Sequence, residues 1–284
     1  MSETNKGTLH LVATPIGNLA DITERAVSVL RGVSHIAAED TRRTRGLLAH
    51  LGITGKQLHA LDANASPQAV ERVVGLLREG QDVAYVTDAG TPGVSDPGRA
   101  LVQAAQGAGT RITALPGPSA LTAAVALSGL VGGPFVFLGF LPRQGSGRKA
   151  LLSRIGQETL PVVLFEAPHR MQQSLVDLAA LGPERQVVVC RELTKLHEEV
   201  IRGSLRELAD RQREWLGEAV IVLGETAPQP ALGSSDQELR EQARMLVTSG
   251  ASVRAVADHL AAISGRARRE VYALVLEVKD ADLS

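Results

Sequence analysis

From residue 9 to about residue 127, short apolar runs alternate with helical patterns, and this alternation restricts the chain to a sheet whose strands run mostly parallel. Strands read over residues 9–13, 34–38, 57–61, 82–86 and 111–115. Helices read over 22–30, from 41 to about 51, 67–79, 98–106 and 120–127. Asp21 is the expected N-cap of the first helix, and Ser66-Pro67 opens the third with proline at its first position. One connection stands out. Residues 86–98 hold three glycines, two prolines and two aspartates in thirteen positions, a composition no strand or helix interior tolerates. Turns between strand and helix usually run about 2–6 residues, so the excess length points to a binding loop.

Around residues 129–134 the pattern pauses, and a domain boundary is placed there. A second α/β part follows, with strands over 135–140, 161–165, 186–190, 199–202 and 219–223 and helices over 169–180 and 205–213. Pro142 to Lys149 reads as a flexible basic loop. The expected division is an N-terminal domain over 8–130, a second over 134–225, a linker over 226–236 and a helical tail over 237–280. Three helical patterns fill that tail, and the Ser264-Gly265-Arg266 turn resembles a helix-turn-helix.

Composition narrows the function classes. The formal net charge is −1, so any nucleic-acid contact must be local. Aromatic residues make up 2%, which argues against a stacking platform for single-stranded RNA. The single cysteine, Cys190, lies in a strand-like run and reads as a packed core thiol. No apolar run has the length of a membrane span, and a polar start unlike a signal peptide leads to a cytoplasmic expectation. Neither G-x-G-x-x-G after the first strand nor a P-loop is present, Gly117-Pro118-Ser119 is not a nucleophile elbow, and no Cys/His cluster has metal spacing, so no metal is expected. What remains is a group of strand-end loops that parallel strands bring to one edge. They suit a small polar ligand held by backbone groups, and group transfer from a bound donor.

The residues in those loops form a recognisable set. Thr14-Pro15-Ile16-Gly17-Asn18-Leu19, Ala38-Glu39-Asp40-Thr41-Arg42, Asp88-Ala89-Gly90-Thr91-Pro92 with Ser95-Asp96-Pro97-Gly98, and Leu115-Pro116-Gly117-Pro118-Ser119-Ala120 resemble the tetrapyrrole methylase superfamily. Gly139-Phe140-Leu141-Pro142, Glu166-Ala167-Pro168-His169-Arg170 and Arg191-Glu192-Leu193-Thr194-Lys195 extend the match to the ribosomal RNA small subunit methyltransferase I family. The resemblance covers about residues 8–225. Thr87, Phe165 and Gln144 depart from it slightly.

The resemblance implies a two-domain fold with a mixed second sheet, S-adenosylmethionine between the domains, and usually a homodimer. It also implies 2′-O-methylation of a cytidine ribose in the decoding region of small-subunit (16S) rRNA. By motif position the donor contacts would be Pro15, Gly90, Thr91, Val94, Ser95, Asp96, Ser119, Ala120, Phe165, Glu166, Ala167, Leu193, Glu218 and Ala219. Asp40, Glu39 and His169 are the candidates for removing a proton, and each has a structural alternative as a cap or an ion-pair partner. Arg42, Arg43, Arg45, Arg143, Arg148 and Lys149 are the candidate RNA contacts. Two rival readings are a methylase of the same superfamily acting on a tetrapyrrole or a modified protein side chain, and a ligand-sensing nucleic-acid-binding regulator.

Overall fold

The structure, a computed structural model, describes residues 6–211, 213–226, 236–248, 251–264 and 266–281. The chain divides into two compact units, residues 1–225 and 226–284.

Two five-stranded sheets build the first unit. Strands β1 (Thr8–Val12), β2 (His35–Ala38), β3 (Gln57–Ala60), β4 (Val83–Val86) and β5 (Arg111–Leu115) lie in the order β3-β2-β4-β1-β5, all parallel. Helices α1 (Glu24–Gly32), α2 (Thr41–His50), α3 (Pro67–Arg78) and α4 (Arg99–Gly107) connect them. Alternate residues of β4 face opposite ways, so Val83 and Tyr85 pack with Val73, Val74 and Leu77 of α3, while Ala84 and Val86 pack with Ala26 and Leu30 of α1. Both faces of β4 are covered, which is why that strand is buried and free of charged residues throughout.

The first helix starts later than expected. Asn18 caps a 3-10 turn over Leu19–Asp21, which contains Asp21, and Thr23 caps α1 through its side-chain oxygen. Ser66 and Asp40 accept from backbone N–H groups at the starts of α3 and α2.

The second sheet holds β6 (Val136–Phe140), β7 (Val162–Glu166), β8 (Gln186–Arg191), β9 (Glu199–Ser204) and β10 (Ala219–Leu223) in the order β6-β7-β10-β8-β9. Only β6 and β7 are parallel; β10 runs antiparallel to both β7 and β8. Helices α6 (Gly145–Gln157), α7 (Pro168–Ala179) and α8 (Leu205–Asp210) accompany it, with Ile155, Met171, Leu175 and Leu208 in a core over one face. The other face is covered by α5 (Ala120–Ser128), whose Ala124 packs with Val163, Val188 and Val220. Sequence order groups α5 with the first half, whereas packing joins it to the second sheet. Its sequence is apolar on nearly every side, so periodicity does not mark which surface it covers.

A further difference concerns the basic segment. Residues 145–149 form the first turns of α6, not a loop.

In the second unit α9 (Asp236–Thr248), α10 (Val253–Ser264) and α11 (Arg268–Ala281) enclose their own core of Leu239, Val256, Leu260, Val271 and Val275. Arg240, Arg266 and Arg268 pair with Glu277, Asp236 and Asp258. Most of the linker, and Gly265 of the turn likened to a helix-turn-helix, lie outside the described residues.

Candidate active site

The strand-end loops of the two sheets of the first unit enclose a cavity of about 430 Å³, within the range of small-molecule sites. Antiparallel pairing explains how a strand start contributes to it. Ala219 at the beginning of β10 lies opposite Glu166 and Arg191 at the ends of β7 and β8, so Glu218 and Ala219 join the loops that leave those two strands.

Three contacts hold the first-sheet loops in place. Thr14 and Gly90 exchange both backbone hydrogen bonds, at 2.9 and 3.0 Å, tying the β1 loop to the loop after β4. The Thr91 hydroxyl donates to the Pro118 carbonyl at 3.2 Å and adds the β5–α5 loop. Gly98, at φ +126°, ends the long loop where a Cβ would strike the Tyr85 ring at 2.5 Å.

The cavity has two dissimilar walls. Glu39, Asp88 and Asp96 line the first-sheet side together with Arg43, and Phe140, Phe165, Leu193 and Val220 line the other. Asp88 is well partnered: its oxygens accept from the Asp40 N–H at 3.1 Å and pair with Arg43 at 3.4 Å. Burial pushes the Glu39 carboxyl above its ordinary value, with the Asp88 N–H bond partly opposing this. Asp96 is raised to about 6, chiefly by burial and then by the negative charge of Glu39. Across the cavity Phe140 and Phe165 meet edge to face with centroids 5.5 Å apart, and Phe140 is 51% exposed.

Glu166 occupies the junction between wall and core. Its side chain is buried, pairs with Arg170 at 2.5 Å, and accepts from the Ser174 hydroxyl at 2.6 Å and the Ala167 N–H at 2.8 Å. Lys195 bridges Glu192 at 2.9 Å and Glu218 at 3.3 Å, and the hydrogen bond from Lys195 holds the Glu192 carboxyl below its ordinary value. Glu192 and Thr194 adopt positive φ, +49° and +66°, within this tight turn.

The expected donor contacts Gly90, Thr91, Val94, Ser95, Asp96, Ser119, Ala120, Phe165, Glu166, Ala167, Leu193, Glu218 and Ala219 all line the cavity. Pro15 does not; its neighbour Ile16 takes that place. Of the proposed proton acceptors only Glu39 reaches the wall. Asp40 caps α2 and pairs with Arg42, whose Nη2 lies at 2.7 Å, and the hydrogen bonds from Arg42 hold the carboxyl far below the usual carboxylate range. His169 is exposed at the second position of α7 and is not part of the cavity lining.

Among the candidate RNA contacts, Arg43 lines the cavity, and Arg42, Arg45, Arg143 and Lys149 are exposed. Arg148 departs from expectation. Its guanidinium is consumed internally by Asp177 at 2.7 Å, the Ser174 hydroxyl at 3.1 Å and the Pro142 carbonyl at 3.0 Å. Sequence reasoning assigned no site role to Phe140, Glu192 or Lys195, although all three stand in the motifs Gly139-Phe140-Leu141-Pro142 and Arg191-Glu192-Leu193-Thr194-Lys195.

The walls fit a cationic nucleoside donor. Six carboxylates (Glu39, Asp88, Asp96, Glu166, Glu192 and Glu218) line the cavity with two cations, Arg43 and Lys195, which favours a positive centre, and the phenylalanines offer a face for a planar base.

Comparison with known proteins gives a consistent family. Residues 8–209 match the family model described as Tetrapyrrole (Corrin/Porphyrin) Methylases. A protein from Synechocystis sp. called ribosomal RNA small subunit methyltransferase I is 42% identical over 276 residues, 96% of this chain and 99% of its own. The protein of the same name from Thermotoga maritima is 45% identical over 76% of this chain and 98% of its own. Among solved structures, the methyltransferase CobJ aligns with a TM-score of 0.58 at 22% identity, covering 78% of this chain and 95% of that one. A uroporphyrin-III C-methyl transferase from Thermus thermophilus, complexed with S-adenosylhomocysteine, aligns with a TM-score of 0.55 at 19% identity over 77% of this chain and 98% of its own. These two likenesses are of fold.

Proposed function

The chain belongs to the ribosomal RNA small subunit methyltransferase I family of tetrapyrrole methylases, and from that premise we propose that it methylates the ribose 2′-hydroxyl of a cytidine in the decoding region of small-subunit rRNA. It is an S-adenosylmethionine-dependent rRNA methyltransferase. The observation that carries the site assignment is the cavity itself, with a carboxylate wall facing an aromatic one.

When bound, the donor supplies an activated methyl group on a positively charged sulfur. The chain must therefore bind, align and exclude water. Phe140 and Phe165 offer the base a face, the Gly90 to Asp96 loop supplies close backbone, and Glu218 with Lys195 closes the second-sheet side. No side chain is required as a nucleophile, because the ribose oxygen attacks.

Arg42, Arg43, Arg45, Arg143 and Lys149 are assigned to RNA phosphates, the first three on the turns that open α2 beside the cavity. Arg148 leaves that group for its internal bonds. A small ribosomal subunit as the substrate context, a homodimer as the working form and the cytoplasm as its location complete the reading. Among the described residues no helix is long and apolar enough to cross a membrane.

The test is tritium transfer from labelled donor to small subunits lacking the modification, followed by mapping of 2′-O-methyl groups. Label at one cytidine ribose is the expected result. Donor binding without label in rRNA overturns the substrate while leaving the fold untouched.

A further inference from the structure

Strand β6 does not keep its alternation to the end. Leu138 packs against the core shared with α6 and α7, and Phe137 against the one shared with α5. Strict alternation would send Phe140 the way of Leu138. Instead the register with β7 shifts between Phe137 and Gly139, so Phe137 lies opposite Val163 while Phe140 lies opposite Phe165. This β-bulge turns Phe140 onto the face of Phe137 and Phe165, where the cavity lies. Gly139 takes the bulge at φ +65°, and a Cβ there would meet Ser95 Oγ of the long loop at 3.0 Å.

The result is a row of rings. Phe137 and Phe165 pack edge to face with centroids 5.0 Å apart, and Phe140 meets Phe165 in the same way at 5.5 Å. Three of the four phenylalanines of the chain stand in this row, so its scarce aromatic surface is concentrated here. Phe137 and Phe165 are half-buried, and Phe140 is the exposed end. That end is firmly based. Leu141 beside it is buried, its carbonyl accepts from Arg170 at 2.8 Å, and the Pro142 carbonyl accepts from Arg148 at 3.0 Å. A bulge that withdraws a large apolar ring from a core and leaves it half in water sacrifices burial, which folding alone does not explain.

We propose that Phe140 is the platform on which the target nucleobase of the rRNA stacks while its ribose reaches the donor. This rests on the methyl-transfer reading above and divides the aromatic wall between two bases. Phe165 serves the donor from inside, and Phe140 serves the acceptor at the open edge. A ribose within rRNA enters a cavity only if its nucleotide leaves the stack, and an aromatic face replaces the stacking that is lost. One exposed ring suits one base, in keeping with a chain whose aromatic residues are too few for a run of single-stranded RNA. Arg143, exposed three residues beyond Phe140, offers a cation to the adjoining phosphate.

The experiment measures methyl transfer to small subunits lacking the modification, at saturating donor, with full-length wild type, Phe140→Leu and Phe140→Tyr. Saturation removes any share that the ring has in donor binding. Leucine keeps apolar contact with Phe165 and removes the stacking face. Phe140→Leu should therefore lower kcat/KM for subunits by about 5–150-fold, whereas Phe140→Tyr should stay within about threefold of wild type. Subunits reassembled with an abasic ribose at the methylated position supply a second arm. On these, wild type and Phe140→Leu should transfer equally, because the base that the ring would hold is gone. Full activity of Phe140→Leu at saturating donor, a tyrosine variant as impaired as the leucine one, or an undiminished Phe140→Leu defect on abasic subunits overturns the proposal. Wild type that binds donor and leaves rRNA unlabelled overturns the substrate reading, and the proposal with it.

Discussion

Gly17 and Lys195 meet so closely that a Cβ on the glycine would lie 2.4 Å from Lys195 Cγ. The same atom would approach the Leu193 carbonyl oxygen at 2.8 Å, so moving the lysine alone does not relieve it. Through this contact the loop after β1 rests directly on the turn that carries Lys195 to Glu192 and Glu218. Gly17→Ala should therefore cost about 1–3 kcal/mol of overpacking. Differential scanning calorimetry should show a lower Tm, and titration should show a weaker donor Kd, because the displaced turn lines the cavity.

Asp40→Asn separates capping from catalysis. Asparagine caps a helix about as well as aspartate, so α2 should persist, and transfer at saturating donor should stay within about a factor of three. Asp40→Ala should instead lower Tm, since the Arg42 N–H loses its acceptor. A collapse of kcat in Asp40→Asn with unchanged Tm would return Asp40 to the chemistry.

The architecture was readable where the cause is local. Alternating strands and helices, Ser66-Pro67 at a helix start and the loop rich in glycine all act over a few residues, and the structure places them close to their expected bounds. Long-range partners were not readable. Arg148 looks like a free cation in its basic segment, and only Asp177, 29 residues later, reveals it as internal. The raised carboxyl of Asp96 likewise depends on its burial and then on Glu39 at the end of another strand. Antiparallel β10 was visible as a strand, but its direction, which brings Glu218 to the cleft, came only with pairing.

Arg148→Ala and Lys149→Ala should have opposite signatures. Removing the Arg148 guanidinium leaves Asp177 and the Ser174 hydroxyl short of a partner, a loss of about 3 kcal/mol. For a unit of this size Tm should fall by roughly 6–12 °C. Lys149→Ala should leave Tm in place and reduce the salt dependence of rRNA binding by about one unit of slope. Equal salt slopes for Lys149→Ala and wild type would remove Lys149 from the RNA surface.

Asp96→Asn should stabilise the fold at alkaline pH. With its folded value raised to about 6 from 3.8, Asp96 favours folding while protonated, and that contribution is lost as pH rises between those values. Asparagine avoids the buried charge, so the variant should melt above wild type at pH 8, with the gap closing towards pH 4. A gap that is constant with pH, or reversed, would show that Asp96 is not held in a disfavoured charged state. Greater stability in a variant with a weakened donor site is the trade expected when a site stores electrostatic cost for binding a cation.

Trp215 is the sole tryptophan of the chain and sits 7% exposed against the core of the second sheet. Its indole N–H donates to Gln172 of α7 at 3.0 Å, and the Arg213 guanidinium lies 4.8 Å above the ring. Excited at the red edge, where tyrosine does not absorb, this indole reports the residues 1–225 unit alone, because the helical unit carries Tyr272 and no tryptophan among its residues. Unfolding of the two can be resolved optically in the intact chain, with neither a label nor a cut.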